Sequence, residues 1–328
     1  MRALALFSGG LDSMLAIKTV ADMDIEVIAL YIKIGFGGTK DISETLQKRA
    51  LKAGAVGFEI IDVREEYVEK ILFNPVYGYG KNFNPCIDCH AFMFRVAKEL
   101  LPKYNASFII TGEVLGQRPM SQRSDALRLV GKLANDIDEK LILRPMSAKL
   151  MEPTTPEIKG CINREKLLDI SGRGRDRQLA LAKEFEWEDY ESPGGGCLLT
   201  DPYYSQKIKE HIKFDEFDVD DIEVLKFGRH FRLPDGAKLI IGRNEEDNNS
   251  LENIKTTKFI EFKLPIIGPS SLISKNASLK DKELGAKIAL TYAKSDNCKY
   301  DVTIDNEVFS ISPFASRDDA RKYFAIQI

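Results

Sequence analysis

The chain has 328 residues, of which 44% are hydrophobic and 30% charged, a composition typical of a folded globular protein with a well-buried core. Its formal net charge of −3 excludes a general nucleic-acid binder that relies on overall positive charge, but it is compatible with a local basic surface. No apolar run reaches the roughly 18–20 residues that span a membrane. The N-terminal run Ala3–Phe7 is too short for a signal peptide, so we expect a cytoplasmic protein without membrane contact.

The N-terminal part of the chain alternates short apolar runs with helical patterns of apolar residues. Strands are predicted at Ala3–Phe7, Glu26–Ile32, Phe58–Val63 and Ser107–Thr111, and helices at Asp12–Ala21, Glu44–Ala53, Cys89–Leu101, Asn163–Ile170 and Arg175–Phe185. Because strands that alternate with helices form a parallel sheet covered on both faces, this part is predicted to be an α/β domain.

The pattern changes after residue 204, where short strands replace this alternation. Strands are predicted at Lys238–Ile241, Phe259–Phe262, Asp301–Ile304 and Val308–Ile311, and one amphipathic helix at Lys280–Ala293. We therefore predict two domains, an α/β domain at residues 1–204 and a smaller α+β domain at residues 205–328.

The sharpest motif is the string Phe7-Ser8-Gly9-Gly10-Leu11-Asp12-Ser13, between the first predicted strand and the first predicted helix. Glycines let a backbone approach a ligand closely, and the N–H groups at a helix N-terminus favour an anion. Asp12 can help to hold a metal ion on phosphates. The glycines alone would also fit an ordinary strand–helix turn, and the string is neither a Walker loop nor a dinucleotide loop. We predict that it binds phosphate through Leu6, Phe7, Ser8, Gly9, Gly10, Leu11, Asp12 and Ser13.

Three of the five cysteines stand in settings that suggest chemistry. Cys86 and Cys89 form a Cys-x-x-Cys pair, and Cys197 follows the run Pro193–Gly196, which is predicted to interrupt regular structure. The other two are predicted to act as small hydrophobic residues, namely Cys161 and Cys298.

This trio is compatible with several chemistries. Three thiolates suit a [4Fe–4S] cluster with one open iron. Zinc with His90 as fourth ligand is an alternative, but His90 directly follows Cys89 and is awkwardly placed to share one tetrahedral metal. A metal-free pair in which Cys89 and Cys197 carry sulfur is a third possibility, and three unrelated buried cysteines are a fourth.

The phosphate string resembles the pyrophosphate loop of the PP-loop ATP pyrophosphatases, which split ATP between the α and β phosphates and adenylate a substrate. The segment Asn84–His90 is similar to the Asn-Pro-Asp-x-x-Cys-Asn segment of bacterial tRNA 2-thiouridine synthases. The resemblance puts Cys89 and Cys197 on the two catalytic cysteines of that family, and implies a catalytic role for Asp12.

Cys86 departs from the bacterial pattern, because it stands where that family has an aspartate. Cysteine at both positions, with a distant third cysteine, is similar to the archaeal-type thiolases that hold a [4Fe–4S] cluster on three cysteines. The resemblance therefore implies that the cluster ligands are Cys86, Cys89 and Cys197.

A further string, Thr111-Gly112-Glu113-Val114-Leu115-Gly116-Gln117 with Ser121-Gln122 after it, is similar to a segment of the 4-thiouridine synthases. The resemblance implies an adenine nucleotide α-hydrolase-like, Rossmann-like fold. In this fold the backbone of Ile32 meets the adenine and Gly112 lines the nucleotide pocket. It also implies ATP and Mg²⁺ as cofactors, tRNA as substrate, and sulfide or a persulfide carrier protein as sulfur donor. In the implied reaction a uridine or cytidine oxygen attacks the α-phosphate, pyrophosphate leaves, and sulfur displaces AMP.

Basic residues in two places are predicted to contact RNA. Arg173, Arg175 and Arg177 alternate along a Gly-containing turn, which suits phosphate oxygens, although such charge runs are often only solvated. In the tail, Phe227 and Phe231 are interleaved with basic residues and are expected to stack on bases. The tail also resembles the RNA-binding module of NFACT-type ribosome-associated proteins.

Two other functions are compatible with the phosphate loop. One is a PP-loop amide or lysidine-type ligase, whose chemistry does not need the three cysteines. The other is a non-catalytic RNA-binding sulfur carrier, which does not need an intact loop with Asp12. The combination of loop and cysteines therefore favours tRNA thiolation.

Overall fold

Five parallel strands lie side by side in the N-terminal part of the computed structural model, which describes residues 1–39, 41–191 and 196–326. The strands are β1 (Arg2–Leu6), β2 (Glu26–Lys33), β3 (Gly57–Asp62), β4 (Phe108–Thr111) and β5 (Ile142–Leu143). Their order is β3-β2-β1-β4-β5, so the chain passes first to one side of β1 and then to the other. In such sheets ligands bind at the carboxyl ends of the strands where the order reverses, here β1 and β4. The predicted parallel α/β sheet is confirmed.

Helices connect these strands and share the core with strands and loops. They are α1 (Leu11–Ala21), α2 (Ser43–Lys52), α3 (Arg64–Tyr67), α4 (Cys86–Leu100), α5 (Ser124–Leu133), α6 (Thr155–Ile158) and α7 (Asp176–Glu184), with a π-helical turn at Val68–Leu72 and 3₁₀ turns at Ala148–Leu150, Arg164–Lys166 and Leu198–Thr200. Because α1 carries apolar residues around most of its surface, it is buried along its length against β1 and β2. This burial fixes the position of its N-terminus at the end of β1.

One predicted helix is wrong. Asn163–Ile170 contains only the 3₁₀ turn Arg164–Lys166, which the Asn163 side chain caps at its start by accepting a hydrogen bond from the Glu165 N–H. The segment then runs extended, since the N–H groups of Leu168 and Ile170 donate to Pro145 and Met146 after β5. The apolar spacing reflects burial along this loop rather than one face of a helix.

The chain divides into two compact units, Met1–Thr200 and Asp201–Ile328. The predicted boundary near residue 204 falls slightly later, inside a helix that begins at Pro202. The Asp201 carboxylate caps this helix by accepting a 2.6 Å hydrogen bond from the Tyr204 N–H. The buried Tyr204 hydroxyl donates to the carbonyl of Ile222, so the helix packs as the first element of the second unit.

The second unit is built on a four-stranded antiparallel sheet of order β6-β7-β9-β8 and a separate β10–β11 hairpin. Its elements are α8 (Pro202–His211), α9 (Val219–Val224), β6 (Arg229–Arg232), β7 (Lys238–Ile241), α10 (Glu245–Asn253), β8 (Phe259–Phe262), β9 (Ser271–Ser274), α11 (Leu279–Tyr292), β10 (Tyr300–Ile304), β11 (Glu307–Ile311) and α12 (Arg317–Arg321). The predicted strands and helix are present within about two residues, as expected for element boundaries. β6 and β9 were missed because they are short and half polar. None of the helices described in the chain is long and apolar enough to cross a membrane.

A buried carboxylate ties the β6–β7 turn to the start of α11. Asp281 is fully buried, and its two oxygens accept hydrogen bonds from the N–H groups of Asp235 (3.2 Å) and Ala237 (3.0 Å). Ser278 caps the same helix by accepting from the Asp281 N–H. The backbone N–H groups of the β6–β7 turn are therefore bonded to a side chain of α11, which is distant in the chain.

We expect Asp281→Ala to destabilise the protein by about 2–4 kcal/mol, because it leaves the buried N–H of Ala237 and the partly buried N–H of Asp235 without an acceptor. Urea unfolding of the full chain measures this, with Glu283→Ala as control, since Glu283 is an exposed carboxylate on the same helix. Equal stability of the two variants would contradict this role of Asp281.

Candidate functional site

The predicted phosphate loop lies between β1 and α1, as the sequence indicated. The Phe7 N–H donates to the Leu30 carbonyl and prolongs the pairing of β1 with β2 by one residue. Gly9 then adopts a φ of +79°, in the left-handed region that favours glycine, and turns the chain into α1. The Ser13 hydroxyl donates to the Gly10 carbonyl at 2.7 Å and closes the first turn. The loop thus presents a helix N-terminus at the carboxyl edge of the sheet.

Gly112 packs directly against this first turn. A Cβ atom at Gly112 would lie 2.5 Å from the Ser13 nitrogen and 2.6 Å from the Asp12 carbonyl carbon, both backbone atoms. Gly112 follows β4, so the two strand ends where the sheet order reverses meet at this point. Gly112 therefore borders the phosphate loop, and its place in a nucleotide pocket stays a prediction.

Ile32 lies in the part of β2 that extends past the end of β1. Its side chain is buried, so only its backbone is available to a ligand. Leu30 directs its carbonyl toward β1, and backbone direction alternates along a strand. The N–H and C=O of Ile32 therefore face the side where β1 has already ended.

Asp12 stands in the first turn of α1, within a group of polar side chains. Gln117 donates from Nε2 to Asp12 Oδ2 at 2.8 Å, and Arg175 Nη2 lies 3.7 Å from the same oxygen. The other oxygen, Asp12 Oδ1, is buried and has no hydrogen-bond partner within the described part of the chain. An unpaired buried carboxylate oxygen is costly, and such an atom suits a cation.

The helix that carries the cysteine pair begins three residues earlier than predicted, at Cys86. The reason is that Pro85 precedes the first helical residue and its carbonyl accepts from the Cys89 N–H at 2.8 Å. Cys86 and Cys89 therefore lie three residues apart on one face, in the first turn of α4. Asp88, between them, is buried and accepts hydrogen bonds from the N–H groups of Val76 and Tyr77, so it holds the preceding loop.

Backbone contacts bring the third cysteine to this turn. Phe83 donates from its N–H to the Leu199 carbonyl at 3.2 Å, and the Asn82 side chain donates to the Thr200 carbonyl at 2.6 Å. Thr200 in turn donates to the Cys197 carbonyl through both its N–H and its hydroxyl. Of the predicted turn before Cys197, Pro193, Gly194 and Gly195 lie outside the described residues.

The three thiols are close enough to influence one another. Burial raises the pKa of Cys197 to about 11, and the neighbouring Cys86 contributes to this rise. Burial also raises the pKa of Cys89, with Cys197 and Cys86 adding to the effect and the Tyr67 hydroxyl opposing it. Asn84 donates from Nδ2 to the Cys86 sulfur at 3.1 Å. Within residues 1–39, 41–191 and 196–326, however, no group of three or more His, Cys, Asp or Glu side chains has the spacing of a metal site.

A hydrogen-bonded triad around a buried carboxylate, which the sequence analysis missed, links the cysteine helix to the phosphate loop. His90 Nδ1 lies 2.7 Å from Glu113 Oε1, and Arg144 donates from Nε to Glu113 Oε2 at 2.9 Å. Burial alone would raise the pKa of Glu113, but Arg144 and His90 hold it below its ordinary value. The only sequence signal was the adjacency of His90 to Cys89 and of Glu113 to Gly112.

The predicted RNA-binding arginines separate into two groups. Arg173 and Arg177 are exposed, and Arg177 pairs with Asp169 at 2.6 Å. Arg175 instead turns inward beside Asp12, with 14% of its side chain exposed. It therefore borders the phosphate loop rather than the surface that the other two arginines share.

The expected stacking aromatics of the tail are core residues, which corrects the sequence interpretation. Phe231 is fully buried in one apolar cluster of the unit, with Leu239 and Ile241, and Phe227 is 6% exposed in another, with Ile240 and Leu251. They cannot stack on bases without unfolding the unit. The basic residues beside them have different roles, since Arg232 pairs with Glu210 and Asp215 while Arg229 does not pair with a carboxylate in the described chain.

Arg229 borders a cavity of about 340 Å³ in the second unit. The cavity is lined by Tyr203, Arg229, His230, Arg243, Phe324 and Ile326. Arg229 donates to the Gly242 carbonyl at 3.1 Å, and Arg243 pairs with Asp247. Burial raises the pKa of Tyr203, and the nearby guanidinium groups of Arg243 and Arg229 oppose this rise only in part. Two cations beside a phenol hydroxyl form a surface that suits a phosphate group.

Two family models match parts of the chain. Residues 2–84 match the argininosuccinate synthase N-terminal HUP domain, and residues 228–321 match the NFACT protein RNA binding domain. The second match covers the part of the tail that carries Arg229 and Arg243.

Known proteins similar to this chain include the tRNA-specific 2-thiouridylase MnmA of Petrotoga mobilis, which is 24% identical over 247 residues. The alignment covers 70% of this chain, and the chain spans 64% of that relative. A crystal structure of a 4-thiouridine synthetase–RNA complex with bound ATP aligns with a TM-score of 0.37 at 20% identity, covering 69% of this chain and 52% of that chain. The U34-tRNA thiolase NcsA from Methanococcus maripaludis with its [4Fe-4S] cluster aligns with a TM-score of 0.30 at 14% identity, covering 61% of each chain. The HUP-domain and thiouridylase sequence matches confirm the predicted resemblance to PP-loop tRNA thiolation enzymes.

We expect Gly112→Ala to weaken ATP binding by at least about tenfold, because the added Cβ would displace the backbone of the phosphate loop. Titration with a fluorescent ATP analogue measures this. Gly131→Ala in α5 is the control, since its added Cβ would come no closer than 3.9 Å to a neighbouring heavy atom. Normal ATP affinity of a folded Gly112→Ala protein would contradict the site.

Proposed function

We propose that this protein is an ATP-dependent tRNA thiolase, which adenylates a carbonyl oxygen of a tRNA uridine or cytidine and replaces it with sulfur. The proposal rests on the resemblance of its phosphate loop and cysteine segment to PP-loop thiolation enzymes. It is supported by the sequence similarity to a tRNA 2-thiouridylase.

The observation that carries the proposal is the connection between the phosphate loop and the cysteines. Gly112 packs on the first turn of α1, and the next residue, Glu113, pairs with His90. His90 directly follows Cys89 on α4. A nucleotide on the loop and a thiol at Cys89 would therefore act on one substrate at the same edge of the sheet. A simple amide ligase has no use for thiols at this position.

In the first step, the base oxygen attacks the α-phosphate and pyrophosphate leaves. The N–H groups at the start of α1 suit the negative charge of the phosphates, which grows on the leaving group. Asp12 would hold a Mg²⁺ ion through its buried Oδ1, and that ion would offset the phosphate charge. This step makes the base oxygen a good leaving group.

In the second step, sulfur forms a bond to the base carbon while the carbon–oxygen bond breaks and AMP leaves. Cys86, Cys89 and Cys197 are the proposed sulfur-handling residues, because their thiols lie together at the first turn of α4. The [4Fe–4S] cluster stays a prediction. The thiols are near one another, but the described residues do not have the spacing of a metal site. The alternative is a persulfide on Cys89 whose outer sulfur is transferred when Cys197 attacks, which leaves a Cys89–Cys197 disulfide.

The tRNA partner is proposed to contact both units. Arg173 and Arg177 are exposed in the first unit. Arg229 and Arg243 border the cavity in the second unit, within the segment that matches the NFACT RNA binding domain. Their guanidinium groups suit backbone phosphates, which position an RNA without reading its sequence.

We expect Cys89→Ser and Cys197→Ser to abolish tRNA thiolation while ATP–pyrophosphate exchange persists, because adenylation depends on the loop rather than on the thiols. Mass spectrometry of tRNA nucleosides measures the thiolated base. Cys161→Ser and Cys298→Ser are the matched controls and should retain full activity. Thiolation by either Cys89→Ser or Cys197→Ser would rule out the proposed sulfur step.

Cys86→Ser separates the two versions of that step. A cluster on three cysteines needs Cys86, so the variant should lose both activity and the iron that anaerobic reconstitution adds to the wild type. A persulfide pair needs only Cys89 and Cys197, so metal-free protein and Cys86→Ser should both thiolate tRNA. Iron content, absorption spectra and thiolation of the same samples distinguish these outcomes.

We expect the double variant Arg229→Ala, Arg243→Ala to bind tRNA more weakly and to lower the slope of log affinity against log salt by about 2, because each arginine would neutralise one RNA phosphate. Filter binding at several salt concentrations measures both quantities, after thermal melting has verified the fold. Lys280→Ala removes an exposed cation of the same unit and is the control. An unchanged salt slope would exclude the cavity as a phosphate-binding surface.

A further inference from the structure

Four polar side chains meet beside the first turn of α1, next to the phosphate loop. They are the Asp12 cluster: Asp12, Gln117, Arg175 and Gln178. Gln117 donates to Asp12, and Gln178 donates from Nε2 to Gln117 Oε1 at 3.3 Å. Arg175 immediately precedes α7, and Gln178, in the first turn of that helix, is fully buried. The cluster therefore joins the start of α1 to the start of α7.

Backbone contacts hold the segment before α7 against the loop after β4. Gly172 donates from its N–H to the Leu115 carbonyl at 2.7 Å, and Leu115 pairs with Ser171 in a parallel bridge. Leu115 itself donates to the Ser147 hydroxyl at 2.9 Å. Because these hydrogen bonds fix the segment before α7 against the loop after β4, the backbone of the fold determines the position of Arg175 beside Asp12.

The cluster is incompletely satisfied by the protein. Three of its buried polar atoms have no hydrogen-bond partner among the described residues, namely Asp12 Oδ1, Arg175 Nε and Gln178 Oε1. Native proteins contain only a few such atoms per ~100 residues, and each costs about 1–3 kcal/mol. At 3.7 Å, Arg175 and Asp12 attract each other without a hydrogen bond, so the guanidinium keeps its donors for another group.

We propose that Arg175 binds the pyrophosphate group of ATP and stabilises it as it leaves, with Gln117 and Gln178 positioning Asp12 beside it. This inference rests on the proposed adenylating function and assigns its leaving-group site. The start of α1 suits an anion, and a planar guanidinium binds two phosphate oxygens at once. Charge accumulates on the pyrophosphate as the bond to the α-phosphate breaks, so a cation at this position acts in the transition state.

The assignment changes the role of Arg175 from that predicted from the sequence. Arg173 and Arg177 stay on the exposed side of the turn, whereas Arg175 serves the nucleotide. A leaving-group site makes a specific prediction about ligands. Arg175 matters for ATP and for inorganic pyrophosphate, but it does not matter for AMP, which lacks the β and γ phosphates.

Calorimetric titration of the full-length protein with ATP, pyrophosphate or AMP, each in the presence of Mg²⁺, tests this assignment. Arg175→Ala and Arg175→Gln should weaken ATP and pyrophosphate binding by about 10- to 100-fold, the range for a charge-assisted hydrogen bond, and leave AMP affinity unchanged. Arg175→Lys should restore part of the affinity. Lys183→Ala, which removes an exposed cation from the last turn of the same helix, is the control.

Other outcomes would overturn the assignment. Equal loss of ATP and AMP affinity would mean that Arg175 only maintains the loop. If Arg175→Ala bound pyrophosphate normally but tRNA more weakly, Arg175 would be an RNA-binding residue instead. If the wild-type protein bound neither ATP nor pyrophosphate, the proposed thiolase function itself would fail. If wild type and Arg175→Gln both turned over ATP normally, only the assignment of Arg175 to the leaving group would be wrong, and the proposed function would stand.

Discussion

The close approach of Gly112 to the first turn of α1 is the constraint on which the rest of the first unit depends. It joins the carboxyl ends of β1 and β4, where the strand order of the sheet reverses. Because Glu113 follows Gly112 directly, the same approach fixes the carboxylate that holds His90. His90 in turn belongs to the helix that begins with the cysteine pair. One steric constraint thus sets the distance between the phosphate loop and the thiols.

Two helix N-termini face this edge of the sheet with different chemistry. At α1 the positive end of the helix acts together with Arg175, so the surroundings favour phosphate. At α4 the helix N-terminus favours thiolates, but burial opposes this and raises the pKa of Cys89 and Cys197. The thiols of Cys89 and Cys197 are therefore expected to be protonated at neutral pH. The buried Glu113, held ionised between His90 and Arg144, separates the two environments.

The second unit uses many of its charges for folding rather than for binding. Lys238 is fully buried on β7, where burial lowers its pKa to about 8 and Glu210 opposes the shift. Glu210 also pairs with Arg232 of β6, and Asp215 pairs with Arg232 as well, so two carboxylates balance these two cations inside the unit. Breaking such a buried group leaves an uncompensated charge, which is strongly destabilising. Arg243 pairs with Asp247, so of the two arginines that border the cavity Arg229 is the one without a carboxylate partner among the described residues.

The sequence by itself determined those features that depend on local order in the chain. The alternation of strands and helices, the loop between β1 and α1, and the Cys-x-x-Cys turn all follow from spacing and turn chemistry, so they were predictable. The extended course of Asn163–Ile170 was not, because apolar spacing alone does not distinguish a helical face from an extended segment buried along a loop.

Only the tertiary structure decided which distant residues meet. It turned Arg175 inward and left Arg173 and Arg177 exposed, although the three alternate along one turn. It assigned Phe227 and Phe231 to the core, and it paired His90 with Glu113 and Arg144 from three separate elements. The physical reason is that side-chain direction and ion pairing depend on packing between elements far apart in the chain, which residue spacing does not encode.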